Sequence, residues 1–211
     1  MSEKESYASK VKSAKEKSAK RKFKQSLELS VNFKDINLED AKYKLNLSVF
    51  LPKGRGKDVN IGVFADGDMN VQAKKVSKHV LSKDELEKYS GNRRKMRTYA
   101  NQCYGFIAAP DLMSVIGKSW GIVLGPRAKM PQPVPPNADL KNVIQRLKNT
   151  VKVRSKKNPT IHIPVGVEEM ADSDVAENID TVLTAIERQI PKEHIRSVYV
   201  KTSMGEAVKL I

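Results

Sequence analysis

Three histidines, His79, His162 and His194, and one cysteine, Cys103, are the obvious candidates for catalysis, and they lie far apart in the chain. No HExxH, paired CxxC or GxSxG motif is present, so neither a zinc site nor a nucleophile elbow can be assembled from local sequence. The segment LPKGRGKDVNIGVF has the glycines and lysines of a phosphate loop. It precedes an apolar run instead of following one, has no Ser or Thr after Lys57, and opens no helix. A phosphate cradle needs amides at a helix N-terminus. In FADGDMN, Asp66 and Asp68 could hold Mg²⁺ or simply end a strand, and the turn is the favoured reading. The expectation is no catalytic residue, no metal ligands and no cofactor.

A second kind of chemistry is better supplied. Lys22 and Phe23 sit in KRKFK, where cations could hold phosphates while the aromatic stacks on a base, or Phe23 could pin the segment to a core. GNRRKMR packs Arg93, Arg94, Lys95 and Arg97 together, as a solvated helix face commonly does. In SVYVKTSMGEA, Ser197, Tyr199 and Lys201 share one strand face, and Thr202 and Ser203 lead into Met204 and Gly205. Small hydroxyls beside glycine admit a close backbone and address ribose 2′-hydroxyls, although a plain tight turn reads the same way. LGPRAKMPQPVPP, residues 124–136, holds five of the ten prolines beside Arg127 and Lys129. Such a segment can be neither helix nor central strand, which leaves a stiff surface loop.

The charge balance agrees with a polyanionic partner. The 211 residues carry 39 Lys+Arg against 24 Asp+Glu, a formal net charge of +15. Residues 1–25 are net +6 and residues 61–151 net +8, while 26–60 and 152–211 are nearly neutral. The first 25 residues lack an apolar signal core and membrane anchors, and a single cysteine suits a reducing compartment. A soluble cytoplasmic protein without membrane association is expected.

These residues need elements to hold them. Leu27, Leu29, Val31 and Phe33 alternate with polar residues, as do Tyr43, Leu45, Leu47, Val49 and Leu51, the period of half-buried antiparallel strands. From NIGVFADG the grammar changes to short apolar runs, including YGFIAAP and WGIVLGP, alternating with helical stretches. Ser82 and Glu85 have capping-box spacing, and Leu140, Val143, Ile144 and Leu147 share a helix face. That pattern predicts a mainly parallel three-layer α/β unit over 56–151. Antiparallel grammar returns in TVKVRS, TIHIPVG and the final strand, with a helix through Ile190. The expected fold is therefore a split α+β domain from both termini, 1–55 with 152–211, into which the α/β unit is inserted.

KFKQSLEL, LPKGRGK, LGPRAKMPQPVPP and SVYVKTSMG, in this order and spacing, resemble the family of large-subunit ribosomal protein number one, the ribosomal stalk protein, in an archaeal-like form. The resemblance covers essentially the chain beyond its basic N-terminal segment, 1–25. It implies a Rossmann-like inserted domain and a split domain that clamps large-subunit rRNA at the mobile stalk. It further implies that the stalk's swing accompanies release of deacylated tRNA from the exit site, and that the chain represses translation by binding its own mRNA. Carried over by motif, the RNA contacts are Lys22, Phe23, Ser26 and Glu28, with Ser197, Thr202, Ser203, Met204 and Gly205 at the final strand and turn. Ser203 departs from an expected threonine, and Ser26 is a similar exchange. Arg127 and Lys129 are expected as secondary contacts to rRNA or tRNA, and His162 as a structural residue. A free monomer with no enzymatic activity follows. The alternative is a nucleotide-dependent enzyme on the inserted unit, which lacks a Gly-rich strand-to-helix turn.

Overall fold

The computed structural model describes residues 3–38, 40–155 and 158–211. Met1, Ser2, Glu39, Lys156 and Lys157, which the sequence reading assigns to the split domain, lie outside the described residues. Along the chain, helix α1 (Glu3–Glu16) leads to strands β1 (Ser26–Phe33) and β2 (Asn46–Phe50). The middle runs β3 (Ile61–Phe64), α2 (Gly67–Val76), β4 (Val80–Leu81), α3 (Lys83–Ser90), α4 (Arg93–Gln102), β5 (Gly105–Ala108), α5 (Met113–Ser119), α6 (Gly121–Leu124), β6 (Gln132–Pro133) and α7 (Leu140–Lys148). The chain ends with β7 (Thr150–Arg154), β8 (Thr160–Val167), α8 (Asp172–Glu187), β9 (Ile195–Thr202) and β10 (Val208–Lys209). These elements form two compact units, one from Met1–Lys57 with Asn149–Ile211, the other from Asp58–Lys148.

The split unit has an antiparallel sheet in the order β10-β9-β1-β8 and a two-stranded ribbon, β2 with β7. The two alternating strands of the N-terminal flank therefore do not pair with each other; each finds its partner in the C-terminal flank. Alternation in β1 buries Leu27, Leu29, Val31 and Phe33 together with Val198 and Val200 of β9. The helices α1 and α8 contribute Val11, Ala14, Ile179, Val182 and Ile186 to this core. The opposite face stays half-solvated, as antiparallel sheets allow.

Buried Asn178 of α8 closes the LPKGRGK loop onto this core. Its side-chain oxygen accepts the Lys53 amide (3.2 Å), and its side-chain nitrogen donates to the carbonyls of Gly54 and Val165 (both 2.9 Å). The lysine-glycine segment that resembled a phosphate loop is thus a crossover pinned by one amide.

The middle unit is a parallel sheet in the order β4-β3-β5-β6. Phe64 and Phe106 face a cluster with Leu86, Met96, Ile116 and Trp120. Ile61, Val63 and Ile107 face the other way, toward Met69, Leu140 and Ile144. The expected third strand, WGIVLGP, is instead helical: Val123 and Leu124 donate to the Trp120 carbonyl and Gly125 to Gly121, all at 2.9 Å. A short apolar run does not distinguish a buried strand from a buried helical turn. The sheet edge is taken by Gln132 and Pro133, beside Ile107 and Ala108 of β5. Proline is tolerated there because an edge strand needs fewer donors. Among the described residues, no helix is long and apolar enough to cross a membrane.

Candidate nucleic-acid interface

The start of β1 and the turn after β9 meet although 177 positions separate them in the chain. Ser203 donates its amide to the Ser26 carbonyl (3.0 Å), and the Ser26 amide donates to Ser203 Oγ (3.2 Å). Beneath them lies Gln25, 1% exposed. Its Oε1 accepts the Met204 amide (3.1 Å), and its Nε2 donates to Ser18 Oγ (2.9 Å) and the Ala19 carbonyl (3.2 Å). Glu168 Oε1 accepts the Gln25 amide (3.1 Å). Thr202 Oγ1 donates to Ser18 Oγ (2.8 Å). A buried amide with this many partners fixes the backbone around it, because leaving any of them unpaired carries a desolvation cost.

That network decides what the turn displays. Met204 is 61% exposed and Phe23, two residues before Gln25, is 54% exposed; Lys22 is exposed beside it. The reading of Phe23 as a pin into the core does not hold. A Cβ on Gly205 would collide with Thr202 Oγ1 and press on Ser18, so only glycine fits this turn. Thr202 is wholly buried because the pleat of β9 turns it toward the core. Its hydroxyl holds the turn from beneath instead of facing a ligand.

The outer face of the sheet continues this surface. Across β8, β1 and β9, the register aligns Thr160, Asn32 and Ser197 in one row, His162, Ser30 and Tyr199 in the next, and Pro164, Glu28 and Lys201 in a third. The first row is internally bonded: Thr160 Oγ1 donates to Asn32 Oδ1 (2.8 Å), and Asn32 Nδ2 donates to Ser197 Oγ (3.0 Å). Ser197, buried, is thereby a member of the row's own chain of bonds. Glu28 is half-buried and, among the described residues, makes no ion pair, although Lys201 stands opposite it. His162, read as structural, is exposed in the middle row. Its place could have been taken from the alternation of TIHIPVG, which puts it opposite the apolar set.

The two proline-loop cations are placed differently. Lys129 Nζ donates to the carbonyls of Ala100 (2.8 Å) and Cys103 (2.6 Å), capping the C-terminal end of α4. Burial pulls its pKa down. Arg127 is exposed, yet its guanidinium reaches the Val123 carbonyl (3.1 Å) and Asn101 Oδ1 (3.4 Å). The stiff loop therefore uses Lys129, and in part Arg127, to close its own unit. Asp66, a candidate Mg²⁺ ligand, caps α2 by accepting the Gly67 amide (3.0 Å). No cluster of three or more His, Cys, Asp or Glu able to hold a metal occurs among the described residues.

Comparison with known proteins gives one consistent picture. Residues 14–206 match the Ribosomal protein L1p/L10e family. The chain is 44% identical to the large ribosomal subunit protein uL1 of Thermoplasma acidophilum, over 95% of this chain and 93% of the relative. It is 44% identical to the protein of that name from Methanothermobacter thermautotrophicus, over 95% and 96%. The Pyrococcus abyssi protein of the same name is 46% identical, over 95% and 93%.

Proposed function

The chain belongs to the ribosomal protein L1p/L10e family, and on that footing we propose that it is a non-enzymatic constituent of the large ribosomal subunit that holds stalk rRNA through the β1–β9 surface. The observation that supports this reading best is the Met204–Gly205 turn, exposed but rigidly held by Gln25. A preformed turn binds RNA without first losing its own conformational freedom.

In this reading Lys22 meets a phosphate and Phe23 stacks on a base. Met204 makes an apolar contact, and Gly205 admits the sugar-phosphate backbone closely. Ser26 and Ser203 offer hydroxyls, while Glu28 accepts from a base or 2′-hydroxyl donor, an interaction that needs no charge attraction. Ser197 and Thr202 hold these groups in place. The same surface takes a similar structure in the chain's own mRNA and so represses translation. Release of deacylated tRNA from the exit site accompanies movement of the stalk it is bound to, with Arg127 as a secondary contact. The protein works as a cytoplasmic monomer until it joins the ribosome.

The test compares a stalk rRNA fragment with an unrelated hairpin of equal length across a salt series. Preference for the stalk fragment that persists as salt rises is expected, since hydroxyl and shape recognition do not depend on counterion release. Equal binding to both, falling steeply with log salt, overturns the reading. Competition with the chain's own mRNA leader tests repression separately.

A further inference from the structure

Helices α3 and α4 of the middle unit follow one another but are charged in opposite senses. α3 has Asp84 and Glu85 in its first turn and Lys88 in its last, which suits a helix whose N-terminal end is electropositive. α4 opens with Arg93, Arg94 and Lys95 and has no acidic residue in its first turn. Its N-cap, Asn92, is already occupied by the Lys95 amide (3.1 Å). Three cations at the electropositive end of a helix repel it and one another. Arg97 adds a fourth on the same helix.

Among the described residues, none of Lys88, Arg93, Arg94, Lys95 and Arg97 enters an ion pair. Of the α3 carboxylates, Glu85 is engaged at the Ser82 amide (2.9 Å). Lys88, Arg94 and Lys95 line a cleft between α3 and α4, together with Tyr89, Thr98 and Tyr99. The rings of Tyr89 and Tyr99 lie 6.2 Å apart and lean on Trp120. Cations around an aromatic-floored cleft suit a strand with regularly spaced phosphates and flat bases.

We propose that the α3–α4 cleft is a second RNA site, in which Lys88, Arg94 and Lys95 hold phosphates of a single-stranded segment. It rests on the RNA-binding reading above and adds a surface that the β1–β9 site does not include. The charge arrangement here opposes helix stability, and RNA supplies the missing counter-charge.

The experiment uses the full chain and a short oligouridylate, with affinity followed across salt. Arg94→Glu/Lys95→Glu is compared with Lys74→Glu/Lys75→Glu, an equal charge change on exposed lysines of α2 in the same unit. Loss of two phosphate contacts lowers the slope of log affinity against log salt by about 1.4 for a single strand, and only the α4 pair should show it. Equal shifts in both variants, or no shift in either, overturn the proposal. Carboxylates at a helix N-terminus are favourable, so the α4 variant should melt no lower than the parent. Should it melt lower, Arg94→Gln/Lys95→Gln must move the slope in the same direction for the cleft to stand. Met204→Asp separates the two readings, because it should abolish preference for the stalk fragment and leave the oligouridylate slope unchanged. A stalk preference that survives Met204→Asp fails the β1–β9 surface alone.

Discussion

At the Met204 turn the polar atoms near the surface are largely bonded to one another, whereas along the α3–α4 cleft Lys88, Arg94 and Lys95 have no charged partner among the described residues. The first surface is costly to deform and displays few groups in fixed places. The second is loosely specified and strongly attractive. Fixed hydroxyls, a glycine and an exposed methionine can choose among RNA structures, while free cations respond to any chain of phosphates. The contrast teaches that net charge does not locate selectivity, since the split and middle units carry nearly equal formal charge, +8 and +7, and differ in how firmly their surface groups are fixed.

Breaking the turn should produce the largest effect. Met204→Asp places an unpaired carboxylate against RNA and is expected to weaken stalk-fragment binding by more than about 2 kcal/mol. Unchanged affinity in a filter-binding or anisotropy titration would remove the turn from the site. Gln25→Ala comes next. It strips the Met204 amide of its acceptor and empties a buried site, which should cost about 1–3 kcal/mol of stability. Stalk affinity should fall about tenfold, near 1.4 kcal/mol, with the salt slope intact. A slope that changed instead would mean that Gln25 acts through charge spacing, and the contrast between the surfaces would blur.

The smallest effect on RNA belongs to Lys129→Met, which keeps the apolar stem and loses the ammonium bonded to Ala100 and Cys103. Thermal stability should drop by about 1–2 kcal/mol while affinity for isolated RNA is unaltered. A marked loss of affinity would return the proline loop to the binding surface. The same end of α4 carries a pH signature. Burial pushes the Cys103 thiol from its ordinary value of 9.0 up to about 11. Its protonated form therefore supports the fold fully below pH 9, and that support is lost as pH climbs through about 11. Cys103→Ala should make the alkaline decline of melting temperature shallower over that interval.

Much of this was readable in the residues. The period of Leu27 to Phe33, the Ser82–Glu85 capping box and the change from alternating to βα grammar each correspond to an element of the structure. They are local patterns, and local geometry produces them. What escaped depended on direction or on distant partners. Arg94 and Lys129 look alike as cations in basic segments, yet one is exposed and one caps a helix. Gln25 looks like an ordinary polar residue before a strand until Met204 and Glu168 arrive from the far end of the chain. WGIVLG escaped for a third reason: its apolar run is too short to carry a period. Among candidate site residues, the turn at Met204 and Gly205 was legible, while Phe23 stood open between an exposed and a pinned place, and the buried places of Thr202 and Ser197 required the pleat of β9.

The bonds between Ser26 and Ser203 close a loop of 177 positions, with the whole middle unit in between. Chains are made from the N-terminus at about 5–20 residues per second, so the first half of the interface waits many seconds for its second half. During that interval β1 lacks its β8 and β9 neighbours, and Gln25 lacks Met204 and Glu168. An unfinished chain therefore presents its N-terminal cations before it presents the finished β1–β9 surface. On the proposed reading, recognition of a particular RNA is a property of the completed polypeptide, and fragments released early do not compete for the same target.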